Sequence, residues 1–230
     1  MFKAFQKFSA RDRFVNILVV LMIPLGVIAL LIRTFLFHPF DTPSSSMAPT
    51  LVIGDEFFVA KFAYGYSRYS FPFSPPLFSG RVLGAQPAYG DVVVFRLPKD
   101  TSTDYVKRVV GLPGDRVQMK SGQLFINGKA VEREQVLDDD AACGANAAPA
   151  AKRWRERLPN GVTHETLDCI ENGYYDSTPE YRVPAGHYFM LGDNRDNSTD
   201  SRVMSAGGFV PYENLIGRFA FKHIDGDGEE

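Results

Sequence analysis

The sequence predicts a mainly β fold carried behind a single N-terminal transmembrane helix, and three features of its pattern predict it. Residues 14–32 form an uncharged apolar run, FVNILVVLMIPLGVIALLI. From Leu51 onward, short β-type runs alternate with turn signals. No alternation of strand-like with helix-like segments, the mark of a parallel α/β sheet, is visible.

The elements follow in chain order. Residues 1–13 carry Lys3, Lys7, Arg11 and Arg13, and only Arg33 follows the apolar run closely. The 19 residues of that run, at about 1.5 Å each, span about 28 Å, a hydrocarbon thickness. The sequence RTFLF after it offers no small-x-small cleavage site, so the run reads as an anchor and not as a removed leader. The bias of positive charge puts residues 1–13 in the cytoplasm and everything after about His38 outside it.

Residues 39–223 then form the exported β domain, with strands expected at 56–60, 91–97, 105–110, 116–119, 123–126, 188–191 and 215–221. Asn127-Gly128 between QLFI and KAV predicts a type I′ hairpin, and Pro113-Gly114 marks another turn. Residues 64–78 hold six aromatic side chains, three prolines and one charge, Arg68. That composition suits either a membrane interface or a loop packed on the core. An insert is expected at about 132–180, with an acidic run at 138–140, both cysteines and the sole tryptophan, Trp154. The tail at 224–230, with its sequence DGDGEE, is expected to be disordered.

Composition narrows function. The 230 residues hold 25 basic and 27 acidic side chains, a net charge of −2, which gives no basic excess for nucleic acid. Cys143 and Cys169 form no C-x-x-C, and His38, His164, His187 and His223 lack ligand spacing, so no cofactor or metal is expected. In an oxidising compartment the two cysteines are expected to form a structural disulfide, with two free thiols as the alternative.

Three segments are candidates for chemistry. PSSSMAPTL at 43–51 is rich in hydroxyls but has no G-x-S-x-G elbow or His and Asp partners, so a nucleophile there would need a lysine as its base. A lysine serves only when burial lowers its pKa, and Lys99, Lys120 and Lys129 all stand beside turns. Lys107, in DYVKRVVGLPGD, sits on a strand among Tyr105, Val106, Val109 and Val110; the alternative makes Lys107 and Arg108 gatekeepers of an edge strand. The third segment, GDNRDNSTDSR at 192–202, has Arg195 and Ser198 where a calcium loop counted from Asp193 needs an acid and a glycine. It reads as a rigid hydrogen-bonded turn.

Taken together and in this order, the three segments resemble type I signal peptidase, the bacterial membrane-bound Ser/Lys protease family that removes signal peptides from exported proteins. The resemblance implies a fold of two antiparallel β-sheet subdomains, residence in the inner membrane with the catalytic domain on the periplasmic side, and cleavage after small residues of the Ala-x-Ala type. It implies Ser46 as nucleophile, Lys107 as general base and Ser44 as side-chain donor to the oxyanion. Ser198 would orient the lysine, Asp200 and Arg202 would form a supporting ion pair, and Pro43, Met47, Leu51, Tyr105 and Val106 would line the substrate pockets. Implied partners are signal peptides and membrane lipid, not nucleic acid.

Two departures stand out: Ser45 replaces a usual glycine, and VMSAGGFV follows Arg202 where the family has an aromatic-Trp-Gly sequence. Alternative functions are a self-cleaving repressor-type Ser/Lys protease, a dedicated maturation peptidase and a single-pass envelope scaffold. The scaffold predicts that Ser46 and Lys107 are dispensable.

Overall fold

The computed structural model describes residues 10–76, 78–137 and 151–223. Lys3 and Lys7, the acidic run at 138–140, Cys143 with its expected bridge to Cys169, and the tail at 224–230 lie outside the described residues. Helix α1, Ala10–Leu31, continues through a π-helical turn, Ile32–Leu36. The apolar stretch Phe14–Leu36 is long enough to cross a membrane, and its side chains are not buried against the rest of the chain.

The remainder is mainly β, and every strand pair is antiparallel. In chain order the strands are β1 (Phe37–Asp41), β2 (Glu56–Ala60), β3 (Val92–Leu97), β4 (Asp100–Gly111), β5 (Arg116–Lys120), β6 (Gln123–Ile126) and β7 (Lys129–Ala130). They continue with β8 (Glu132–Val136), β9 (Lys152–Arg157), β10 (Thr163–Asp168), β11 (Tyr181–Arg182), β12 (His187–Leu191), β13 (Val210–Pro211) and β14 (Leu215–Lys222). The principal sheet has the order β1-β2-β14-β3-β4-β12-β13; two smaller sheets are β11-β5-β6-β7 and β10-β9-β8.

The apolar run VVVF of β3 is explained by burial on both faces. Val92 and Val94 pack with Met47, Leu51 and Phe57 on one side, while Val93 and Phe95 pack with Val109, Tyr188 and Met190 on the other. A third core joins the principal sheet to the β5–β6 hairpin through Val110, Val117, Leu124 and Phe189. Asn127 and Gly128 take φ values of 53° and 78°, the left-handed pair that the expected hairpin turn needs.

The aromatic segment 64–78 divides between its two expectations. Tyr64 and Tyr69 are buried in the core, whereas Phe73 is fully exposed. Tyr66 and Phe71 each meet Phe35 edge-to-face at 5.8 Å, and the Tyr66 hydroxyl donates to the Phe35 carbonyl, so this segment clasps the end of the apolar helix.

Candidate active site

Ser46 lies in a tight 3-10 turn, Ser45–Met47, which follows extended Ser44. The turn is closed by Ala48 N–H donating to the Ser45 carbonyl at 3.1 Å and is pinned from outside by Asn194 N–H donating to the Ser46 carbonyl at 3.2 Å. Gly192 makes the close approach possible, since a Cβ there would collide with the Ser46 carbonyl and the Ser198 hydroxyl. At Ser45, where the family usually has glycine, the side chain is used: Asn197 Nδ2 donates to its Oγ at 2.6 Å.

Lys107 comes from β4, where it pairs with Val93 of β3 while β12 pairs only from Arg108 to Gly111; its burial, not an interior place in the sheet, speaks against an exposed gatekeeper. Lys107 is 3% exposed, its Nζ donates to Ser46 Oγ at 2.6 Å and to the Val106 carbonyl at 2.9 Å, and it stands 5.3 Å from the centre of the Tyr105 ring. Burial pushes its amino group down to about 8, reinforced by Arg202 and opposed by the carboxylates of Asp200 and Asp193. At that value roughly one molecule in ten is neutral at pH 7.

Ser44 Oγ donates to Ser46 Oγ at 3.2 Å. Both hydroxyls and Lys107 open into a cleft of about 760 Å³ that Pro43, Tyr105, Val106 and Ser198 also line. The expected ion pair is present, with Arg202 Nη2 donating to Asp200 Oδ2 at 2.8 Å and both residues buried. Burial alone would raise the Asp200 carboxyl, but Arg202 outweighs it and holds the group below the ordinary range.

Two expectations need correction. Met47 and Leu51 do not line the cleft; both are 0% exposed and pack with Phe57, Val59, Val92 and Val94 in the core beneath it. The 3-10 turn sends neighbouring side chains in different directions, so Ser46 faces the cleft and Met47 the core. Ser198 stands on the cleft wall, but its hydroxyl makes no hydrogen bond of good geometry and leaves Lys107 to Ser46 and Val106. It faces Asp200 and helps lower that carboxyl.

The sequence reading passed over a second buried ion pair. Arg108 binds Asp193 through Nε and Nη2 at 2.8 and 2.6 Å, and Thr50 Oγ1 donates to the same carboxylate at 2.6 Å. Asp193 and Asn194 thus tie the nucleophile's turn to β4. Their loop is held in turn by the Arg195–Glu156 pair at 2.6 Å and by exchanged backbone bonds with Leu167, which fasten the β8–β10 sheet to the site. The signal was present in the motifs, since Arg108 adjoins Lys107 on an otherwise apolar stretch of sequence and Asp193 follows Gly192 at the head of the third segment. Phe40, Phe57 and Val203 are further cleft residues that carried no motif. Among the described residues no group of three or more His, Cys, Asp or Glu side chains is placed to hold a metal ion.

The family model described as signal peptidase, peptidase S26, matches residues 15–224. Signal peptidase I of Rickettsia typhi is 44% identical over 202 residues, covering 84% of this chain and 74% of that protein. Signal peptidase I of Rickettsia conorii is 43% identical with the same coverage. A crystal structure of a signal peptidase I from Enterococcus faecalis V583 is 28% identical, covers 59% of this chain and 98% of its own, and superposes with a TM-score of 0.36.

Proposed function

We propose, for a chain that belongs to the signal peptidase family, peptidase S26, that Ser46 is the nucleophile and Lys107 the general base of an endopeptidase anchored by its N-terminal helix. Its function is that of a signal peptidase I, a hydrolase whose substrates are exported preproteins. The finer reading rests above all on one contact, the 2.6 Å hydrogen bond between Lys107 Nζ and Ser46 Oγ in a site withdrawn from water.

Neutral Lys107 takes the Ser46 proton as Oγ attacks the scissile carbonyl, and the resulting ammonium passes that proton to the leaving amine of the mature chain. An acyl-enzyme on Ser46 remains. The same lysine then activates the water that releases the signal peptide. Ser44 Oγ, now turned toward Ser46, swings its donor to the oxyanion when substrate enters. The Asp200–Arg202 and Arg108–Asp193 pairs hold β4 and the nucleophile's turn at fixed separation.

Pro43, Tyr105 and Val106 form apolar contacts for small side chains beside the cut. The helix α1 spans the inner membrane with residues 1–13 inside, and residues 39–223 work at the outer face, where the exposed Phe73 touches lipid. The test is cleavage of a preprotein with an Ala-x-Ala site by the purified full chain in detergent. Wild type cleaves, and Ser46→Ala and Lys107→Met do not. Equal cleavage by all three overturns the dyad.

A further inference from the structure

Lys61 opens the 3-10 turn Lys61–Tyr64 directly after β2. It is 4% exposed, and its ammonium has no hydrogen bond or ion pair with any described residue. Burial pushes it down to about 8, Arg33 and Arg96 push the same way, and Asp104 opposes them. The residue is buried, but its ammonium is not among the fully enclosed polar atoms that lack a partner and it borders a cavity, so it is open to a partner that arrives from outside the chain.

Lys61 borders a cavity of about 220 Å³ on the far side of a wall, formed by Phe40 and Asp104, that it shares with the cleft. One side of the cavity is polar: Arg33, His38, Lys61 and Arg96 face a single carboxylate, Asp104. Asp104 pairs with Arg96 at 3.1 Å and only partly offsets Lys61, so the cavity keeps an excess of positive charge from Arg33 and Lys61. Burial, with Lys61 and Arg33, keeps His38 below the ordinary imidazole value, and its hydrogen bond to the Arg33 backbone opposes them, so His38 adds no further cation to the cavity. The lining also includes apolar groups, Leu30 at the end of α1 with Phe71, Pro72 and Ile216.

An excess of positive charge beside apolar groups suits an anionic amphiphile. Because Leu30, Arg33 and Thr34 belong to the end of the apolar stretch, the cavity stands where that stretch meets the folded domain, at the height of a bilayer's headgroups. We propose that it binds the phosphate of an anionic phospholipid, with Lys61 and Arg33 on the phosphate oxygens and an acyl chain lying along α1. The inference takes from the proposed function only that α1 spans a bilayer.

The test uses native mass spectrometry of the full chain in detergent with phosphatidylglycerol or phosphatidylcholine added. Wild type retains phosphatidylglycerol in preference to phosphatidylcholine. Lys61→Met lowers that retention about tenfold, the loss of one charge-assisted hydrogen bond. Lys61→Arg restores it, and Lys129→Met, at an exposed hairpin position, leaves it unchanged. Lys61→Met still cleaves preprotein in lipid-free detergent, which shows that it has folded and separates this proposal from the dyad. Undiminished retention by Lys61→Met overturns the site, and displacement of the lipid by millimolar inorganic phosphate overturns lipid as its occupant.

Discussion

Lys107 and Lys61 are both withdrawn from water, and burial holds both amino groups near pH 8. They differ in what stands opposite. Lys107 meets a hydroxyl at 2.6 Å and a carbonyl at 2.9 Å, while Lys61 borders a cavity with Arg33 nearby and only one carboxylate, Asp104, to oppose it. Desolvation lowers the pKa of a buried lysine, which at pH 7 leaves most molecules charged and a fraction neutral. Only an aligned proton donor turns that amine into a base, and without one the same burial makes a vacancy for an anion.

The largest expected effect falls on the first lysine. Lys107→Met lowers kcat for preprotein cleavage by up to about 10⁴-fold, the scale of losing a positioned general base. A loss under tenfold would erase the distinction between the two lysines.

Asp200→Asn removes the buried carboxylate that raises Lys107 and strands Arg202. It costs about 3–5 kcal/mol in denaturant unfolding, and it moves the pH midpoint of cleavage below that of wild type. Ser44→Ala lowers kcat about 10²- to 10³-fold with little change in the pH profile, since it removes a donor and leaves the base intact. In wild type the activity itself rises with pH through about 8 to a plateau as Lys107 loses its proton.

The smallest effect belongs to Lys61→Met, which leaves kcat in lipid-free detergent within about twofold, because Lys61 touches neither reacting hydroxyl. Its signature is in stability. Folded Lys61 loses its proton near 8 and the unfolded chain near 10.5, so between those values the unfolded chain binds more protons and stability rises with pH. Removing the group stabilises the protein at pH 7 by up to about 3 kcal/mol in the absence of anionic lipid. The gain shrinks as pH approaches 10.5, which thermal melts at several pH values measure.

The criterion that singled out Lys107, a lysine enclosed by apolar neighbours, applies equally to Lys61 in FFVAKFAY. The sequence reading missed it because no hydroxyl-rich motif drew attention there. The contact between Ser46 and Lys107 was legible because the two residues sit in dense, ordered motifs. Met47 was misplaced because the direction of a side chain leaving a 3-10 turn is not written in local composition, and Leu51, beyond that turn, turns into the same core.

The strands show the same contrast. β2 spans the expected residues, and β3, β4, β5 and β12 differ from expectation mainly at their ends, because apolar runs buried on one or both faces announce themselves. The sheet β10-β9-β8 was passed over as an insert, since EREQV, KRWRER and THETLD carry charges where apolar alternation is sought. Charge is what joins them across the strands. Arg155 reaches Glu134 at 2.8 Å and Glu165 at 3.1 Å, and Arg133 lies over the Trp154 ring at 4.1 Å. β1 was hidden because FHPFD continues directly from the apolar helix and contains a proline, which is tolerated there at the edge of the sheet.

That edge strand also governs how the enzyme measures its substrate. Between the π-helical turn ending at Leu36 and Ser46 the chain is not a slack cord, because Phe37–Asp41 is paired residue by residue with β2. Five residues of strand fix a rise of about 17 Å. On the proposed function, with α1 held in a bilayer, this pairing would keep Ser46 at a constant distance from the end of the helix, and the enzyme would act as a ruler. A preprotein whose own apolar segment is lengthened or shortened by a few residues would present its bond at the wrong graduation, even when the residues around the bond are ideal.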